Sequence, residues 1–374
     1  MRLAAGDPGR DADGSGSGFP FAAEEKIREL VTRELQPLQP RDGAGGTAIA
    51  VRIDGRFLFF NSGHADLANG RPITSDSLFN LASLGKVFVA TLLAQAVQQG
   101  EIRLEERVAS YVPELEQGGD IRRVTLGQLA THTSGLLLPQ DHPPWPEEHY
   151  FLPEFLKALN LWKADSEHQP GMQHNYTHAG FILLHLAVER RLGTSLQQLL
   201  EARVLGPTGL RSTFVPTDPA DPRGALPPAQ RSRAVQGYGE YGTPIGEPGD
   251  VQGYYLWPGT AQMFASARDM AVFLAANLGE VPPHRPLLAA MEFAQRDRFP
   301  IGPSNAQGLA WEIAYEGGAR IVEKHGGLNN TSAYIGMIPS AKAGIVILSN
   351  RGEMTVGEAG RRILLELAKP GRLG

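Results

Sequence analysis

The chain reads as an α+β protein, an α/β sandwich with one mainly antiparallel sheet built from both termini and a helical lobe inserted between them. Three observations predict this. Apolar, β-rich runs occur near the start of the chain and return only near its end. Between them, from Val87 to Leu205, the periodicity is mainly helical. Each end also carries a helix suited to packing on a sheet. The expected organisation is a flexible extension over 1–21, a sheet lobe from 22–80 and 300–374, and a mainly helical lobe with long loops over 81–299.

The elements follow in order. Met1 to Phe19 is rich in Gly, Asp and Ser with no apolar core, so it reads as a disordered tail and not, as it stands, a signal peptide. Ala22 to Leu35 has helical periodicity and acidic residues in its first turn. Gly46 to Ile53 and Arg56 to Asn61 flank Asp54-Gly55, a strong hairpin signal. In the helical middle, Gly/Pro punctuation falls at Pro139-Gln140 to Pro146 and at Pro170-Gly171. Pro216 to Gly259 is long and Pro/Gly-rich, which predicts a functional loop or lid. Ser266 to Leu278 is helical again. Strands are expected at Gly308 to Ala314, Ala319 to Lys324, Ser332 to Ile338 and Gly344 to Ser349, and an amphipathic helix at Val356 to Ala368. The chain shows no internal repeat.

The totals narrow the function. With 374 residues and 42% hydrophobic content, the chain can bury a large core. A net charge of −5, with no basic run, speaks against a nucleic-acid partner. Without cysteine there is no disulfide framework and no thiolate metal site. No stretch is long and apolar enough to span a membrane.

Chemistry concentrates in three places. Ser83-Leu84-Gly85-Lys86 is the only Ser-x-x-Lys among seven lysines, and it stands where the apolar helix Val87 to Val97 begins. Spacing of three puts both side chains on one helical face. An amine held in an apolar setting can lose its proton more easily and activate a serine hydroxyl. Tyr176-Thr177-His178 precedes the apolar run Phe181 to Val188; a tyrosine beside a lysine can serve as general base. Lys324-His325-Gly326-Gly327 ends a strand expected at a sheet edge. There a cation can hold a carboxylate, and glycines let the backbone approach a ligand. Taken singly, each also fits an ordinary helix start, a half-buried aromatic or a solvated turn.

In this order the three resemble the motifs of the serine β-lactamase and penicillin-binding family, in a form similar to class C β-lactamases. The resemblance runs from about Ala22 to Ala368 and includes Leu129-Ala130-Thr131-His132-Thr133-Ser134-Gly135, Gln307-Gly308-Leu309-Ala310-Trp311-Glu312 and Tyr334-Ile335-Gly336-Met337-Ile338-Pro339. It implies a β-lactamase/transpeptidase-like fold and a role for each residue. Ser83 would be the acylated nucleophile. Lys86 and Tyr176 would share proton transfer, with Tyr176 the base for attack on the acyl-enzyme. Lys324 would steer a carboxylate and tune Tyr176. The N–H groups of Ser83 and Gly327 would form the oxyanion hole. Gln140 and Gly326 would touch the substrate. The resemblance further implies no required cofactor, a small β-lactam or other acyl substrate, a monomer, and work in the periplasm or outside the cell.

Three departures stand against it. His178 replaces the usual Asn, and His325 the usual Thr or Ser; both positions face the cleft in the family fold. They can supply proton chemistry, replacement hydrogen bonds, or two ligands for Zn²⁺. The Asn/Arg cluster after the last strand is reduced to Asn350-Arg351, where Arg351 is the candidate substitute. A related esterase or D-amino-acid peptidase, and a sensor that is acylated slowly without turnover, are the alternatives to a β-lactamase.

Overall fold

The structure, a computed structural model, describes residues 4–5, 21–137, 152–215, 226–250, 263–280, 285–369 and 371. Helix α1 (Phe21–Leu35) leads into strands β1 (Gly46–Ile53) and β2 (Arg56–Asp66). The turn between the strands has Asp54 at φ 45° and Gly55 at φ 73°. Two successive left-handed residues give the turn whose twist matches a hairpin, as Asp-Gly predicts. Helix α2 (Gly85–Gln98) is buried from Gly85 through Ala96, which fits its apolar residues on every face.

The middle supplies α3 (Leu126–Ala130) and α4 (His178–Leu192), then α5 (Ala267–Asn277). Thr125 and Gln128 form a reciprocal cap at the start of α3. The chain then returns to the sheet through β3 (Phe299–Gly302), β4 (Asn305–Gln307), β5 (Glu312–Glu316), β6 (Ala319–Leu328), β7 (Thr331–Ile338) and β8 (Ala343–Ser349). It closes with α6 (Val356–Leu367). The strand order from β2 is β2-β1-β8-β7-β6-β5-β4-β3, antiparallel throughout. The short strand Ala4–Ala5 pairs with the outer side of β2.

Both faces of the sheet are covered, and strand alternation divides the core accordingly. On β1, Ile49 and Val51 join Ile27, Val31 and Ile363 under α1 and α6. Ala48 and Ala50 face the opposite way, into the larger core with α2 and α5, where Phe88 stacks on Phe273 at 4.1 Å between centroids. Helix α5 itself packs on β1 and β8.

Several elements differ from the sequence expectation. The β3–β4 hairpin has no clear alternation, and its Pro and Gly residues hide it. The strand expected from Gly308 starts only at Glu312, because Gly308 lies against the Ala294 carbonyl and Ala310 is left-handed at φ 60°. Of the expected lid, the described part forms a 3₁₀ turn at Pro228–Arg233 and a small hairpin, Gly237–Tyr238 with Pro244–Ile245. The remainder lies outside the described residues.

Strand β6 is not at the sheet edge, as β5 pairs with it over Ala319–Glu323. That ladder ends at Glu323, while pairing with β7 continues to Leu328. Lys324 to Leu328 is therefore a local edge inside a large sheet. Its backbone presses on the turn Ala82–Leu84: a Cβ added at Gly326 would lie 2.8 Å from the Leu81 carbonyl oxygen and 3.1 Å from the Ser83 nitrogen. Gly326→Ala is expected to destabilise the protein by about 1–3 kcal/mol through this overlap. Thermal unfolding measures it, and an unchanged midpoint would mean that the turn yields freely.

Candidate active site

Ser83 lies in the 3₁₀ turn Ala82–Leu84, one residue ahead of the α2 N-cap, and Lys86 lies in the first turn of α2. Ala82 is held left-handed at φ 46°, with its N–H on Asn80 Oδ1 at 2.9 Å. A non-glycine residue in that region is uncommon and marks local strain beside the serine. Strand β6 brings Lys324, and the loop before α4 brings Tyr176. The α4 cap is Thr177, whose hydroxyl accepts the Ala179 N–H.

These parts converge on the Ser83 hydroxyl. Tyr176 Oη is 2.7 Å from Ser83 Oγ, and Lys86 Nζ donates to the same oxygen at 3.2 Å. Lys86 Nζ is also 3.3 Å from His178 Nδ1. When Lys86 is an ammonium it can only donate there, so the imidazole proton sits on Nε2. Lys324 Nζ stands 4.9 Å from the Tyr176 ring centroid. Gly326 and Gly327 run past the Ser83 turn, and the Cβ direction of Gly327 opens into empty space.

The charges are arranged unevenly. Burial lowers the Lys86 pKa, and the nearby Lys324 charge adds to that, against the pull of Tyr176 and Glu312. Burial alone would also lower Lys324, but Glu312, with Tyr176 and Glu323, outweighs it and the net shift is upward. For Tyr176, burial raises the phenol; the Lys86 and Lys324 cations and the Ser83 hydrogen bond bring it below its usual value. Burial and the same two cations hold His178 well below the usual imidazole range, so it is neutral.

Glu312, at the start of β5, is the residue that the sequence reading missed. It takes Lys324 Nζ on Oε1 at 2.5 Å and His325 Nδ1 on Oε2 at 2.7 Å. Burial would raise its carboxyl, but Lys324 and the His325 hydrogen bond bring it down to about 2. The signal was cross-strand register: Glu312 opposes Glu323, one residue before Lys324.

The remaining expectations fare differently. His325 alternates away from Lys324 along β6. Its ring sits 5.1 Å from that of Tyr334 and against Gly357 of α6, on the side opposite the serine. The two histidines expected to converge thus take different partners, Lys86 and Glu312. Among the described residues no group of three or more ligand-type side chains could hold a metal, and the zinc reading finds no support. Arg351 is paired with Asp42 at 2.6 Å and donates to the backbone carbonyls of Ala44 and Glu240. Its guanidinium ties these loops together. Gln140 lies outside the described residues. A groove of about 380 Å³ opens beside the phenol, with His174, Tyr176, Ile301, Asn305, Glu312 and Arg361 in its walls.

The family model for beta-lactamase matches residues 24–369. The chain belongs to the beta-lactamase family. A beta-lactamase of Pseudomonas fluorescens is 27% identical over 360 residues, covering 87% of this chain and 94% of that protein. A solved class C beta-lactamase has the same fold, with a TM-score of 0.80 at 24% identity over 92% of this chain and 96% of its own. A structure from Pseudomonas syringae, described as a beta-lactamase/D-alanine carboxypeptidase, has a TM-score of 0.80 at 25% identity, covering 92% of this chain and 100% of that one. As a member of this family the protein is a hydrolase of class C-like architecture.

The Glu312–Lys324 pair has a testable consequence. In Glu312→Gln the charge that does most to raise Lys324 is gone while burial remains, so Lys324 loses its proton at lower pH. The alkaline limb of kcat/KM against pH is expected to move to lower pH. An unmoved limb would mean that Lys324 ionisation does not limit the reaction.

Proposed function

We propose that this β-lactamase opens the β-lactam amide of penicillins, cephalosporins or carbapenems through an acyl-enzyme on Ser83. The observation that carries the reading is one hydroxyl in contact with both a phenol and a buried amine, at 2.7 and 3.2 Å. Ser83 Oγ attacks the lactam carbonyl, and its proton passes to the Tyr176/Lys86 pair. The same pair returns a proton to the departing lactam nitrogen as the C–N bond breaks. The Ser83 and Gly327 N–H groups hold the carbonyl oxygen as it gains charge. Water then attacks the ester, with Tyr176 as base, and Ser83 leaves with the proton.

The lowered phenol pKa supports Tyr176 as that base, and the raised Lys324 pKa supports a permanent cation beside it that steers a substrate carboxylate. His178 fits a hydrogen-bonding role in place of the family's amide. Its neutral Nδ1 offers Lys86 an acceptor, as an amide oxygen would. The reading requires no cofactor. A monomer acting on small substrates outside the cytoplasmic membrane accords with the family; among the described residues no helix is long and apolar enough to cross a membrane. A D-alanine carboxypeptidase activity is the second reading, favoured by the double description of the Pseudomonas syringae protein.

Hydrolysis of a chromogenic cephalosporin, with mass spectrometry of the protein, tests the proposal. Ser83→Ala is expected to abolish both turnover and the covalent adduct while the fold persists; an adduct that survives would remove Ser83 as nucleophile. Tyr176→Phe is expected to slow turnover by roughly a hundredfold, and a near-normal rate would pass the base role to Lys86. Turnover is expected to persist in excess chelator, whereas a loss reversed by added zinc would reinstate a metal role for the histidines.

A further inference from the structure

We propose that His132 is a positioning residue for Tyr176, a role that rests on Tyr176 being the base proposed above. His132 lies two residues beyond α3, fully buried, in the left-handed conformation at φ 55°. Its backbone carbonyl accepts the Asn175 N–H at 2.7 Å. Its ring Nδ1 faces the Thr177 N–H at 3.3 Å. The two residues that flank Tyr176 are thus fastened to one residue. The His132 ring also supports the phenol ring itself, at 4.4 Å between centroids and 35° between planes.

The clip has its own anchorage. The Ala130 carbonyl accepts the Ala310 N–H at 2.9 Å, and the Thr133 carbonyl accepts the Gly171 N–H at 2.7 Å. Hydrogen bonds on both sides of His132 therefore fix its loop to the region before β5 and to the loop that leads to Tyr176. Because Thr177 donates to Nδ1, that nitrogen is unprotonated and the ring proton sits on Nε2. A protonated ring would turn a donor toward a donor and open the clip. Burial, reinforced by the Lys324 and Lys86 charges, keeps the ring neutral.

A space-filling histidine would need only its ring, whereas a positioning one needs its acceptor as well. Two substitutions separate these. His132→Phe keeps a ring and loses the acceptor. His132→Asn loses the ring, places an acceptor oxygen where Nδ1 was, and tolerates the left-handed backbone. With a chromogenic cephalosporin, His132→Phe is expected to lower kcat by roughly ten- to a hundredfold with KM little changed, as the phenol drifts from Ser83. His132→Asn should recover most of that loss. In a Tyr176→Phe background, His132→Phe should cost less than about twofold, since the hydroxyl it positions is absent. Equal losses in both backgrounds would overturn the proposal, as would an asparagine variant no better than the phenylalanine one.

The crystal structure of His132→Phe supplies a readout that does not depend on turnover. The Tyr176 to Ser83 separation should exceed about 3.5 Å, and an unchanged contact would overturn the proposal even if Tyr176 were not the base. A normal rate in Tyr176→Phe alone would sink the base assignment, not the clip. If His132→Phe does not fold, His132→Leu replaces it in each comparison, having asparagine's branched shape without its polar atoms.

Discussion

Two ammonium groups, Lys86 and Lys324, are buried at 5.4 and 4.9 Å from the centroid of one phenol ring, and the site depends on how their charges are balanced. Burying a cation is costly unless something opposite in charge accompanies it. Lys324 has Glu312, a full carboxylate at hydrogen-bond distance. Around Lys86 stand polar or weakly acidic groups, the Ser83 hydroxyl, the Tyr176 phenol and a neutral imidazole, and Glu312 acts on it more weakly than Tyr176 does. The same burial therefore has opposite results. Lys324 is fixed as a cation, while Lys86 is brought toward release of its proton, and the pKa of the phenol beside them is drawn down. A stable charge and a mobile proton beside one hydroxyl are the two things that acyl transfer needs.

The fold delivers this arrangement by ending things at the right place. The β5–β6 ladder stops at Glu323, which frees the last part of β6 to lie against the turn that carries Ser83. Glu312 opens β5, so the carboxylate arrives at the point where the ladder stops. Helix α2 starts just beyond Ser83 and buries Lys86 in its first turn. Ser83, Lys86 and Glu312 thus stand at or beside the start of an element, and Lys324 stands where one ladder of β6 stops. The sheet, covered on both faces, gives those ends a rigid frame.

Much of this was legible in the sequence, for local reasons. Ser83 and Lys86 stand out by their spacing once the Tyr176 and Lys324 segments follow in order, and Asp54-Gly55 announces its hairpin because few other dipeptides tolerate two left-handed residues. The sheet built from both termini follows from where the β-rich runs fall. Register was harder to read. That Lys324 sits on a strand was visible; that this strand is interior for half its length and an edge for the rest was not, since it depends on where β5 begins. Glu312 was quoted within a family signature, yet its role requires knowing that it stands across from Glu323. The directions of His325 and Arg351 were set by groups distant in sequence, Glu312 with Gly357 for one and Asp42 for the other.

The two histidine departures, equivalent as letters, are therefore unequal as chemistry. His178 lies against Lys86, with Nδ1 3.3 Å from its Nζ. Burial keeps it neutral, and a neutral imidazole presents Nδ1 to Lys86 much as an amide presents its oxygen. His325 does something a threonine cannot. It reaches Glu312 from the far side of β6 and occupies the carboxylate oxygen that Lys324 leaves open. Both oxygens of Glu312 are then held by side chains on adjacent residues of one strand, which fixes the carboxylate in place. A carboxylate held at both oxygens cannot swing away when a substrate anion approaches Lys324. In the proposed mechanism, the substitution at 325 thus bears on how Lys324 meets anions, and the one at 178 on how Lys86 shares its proton.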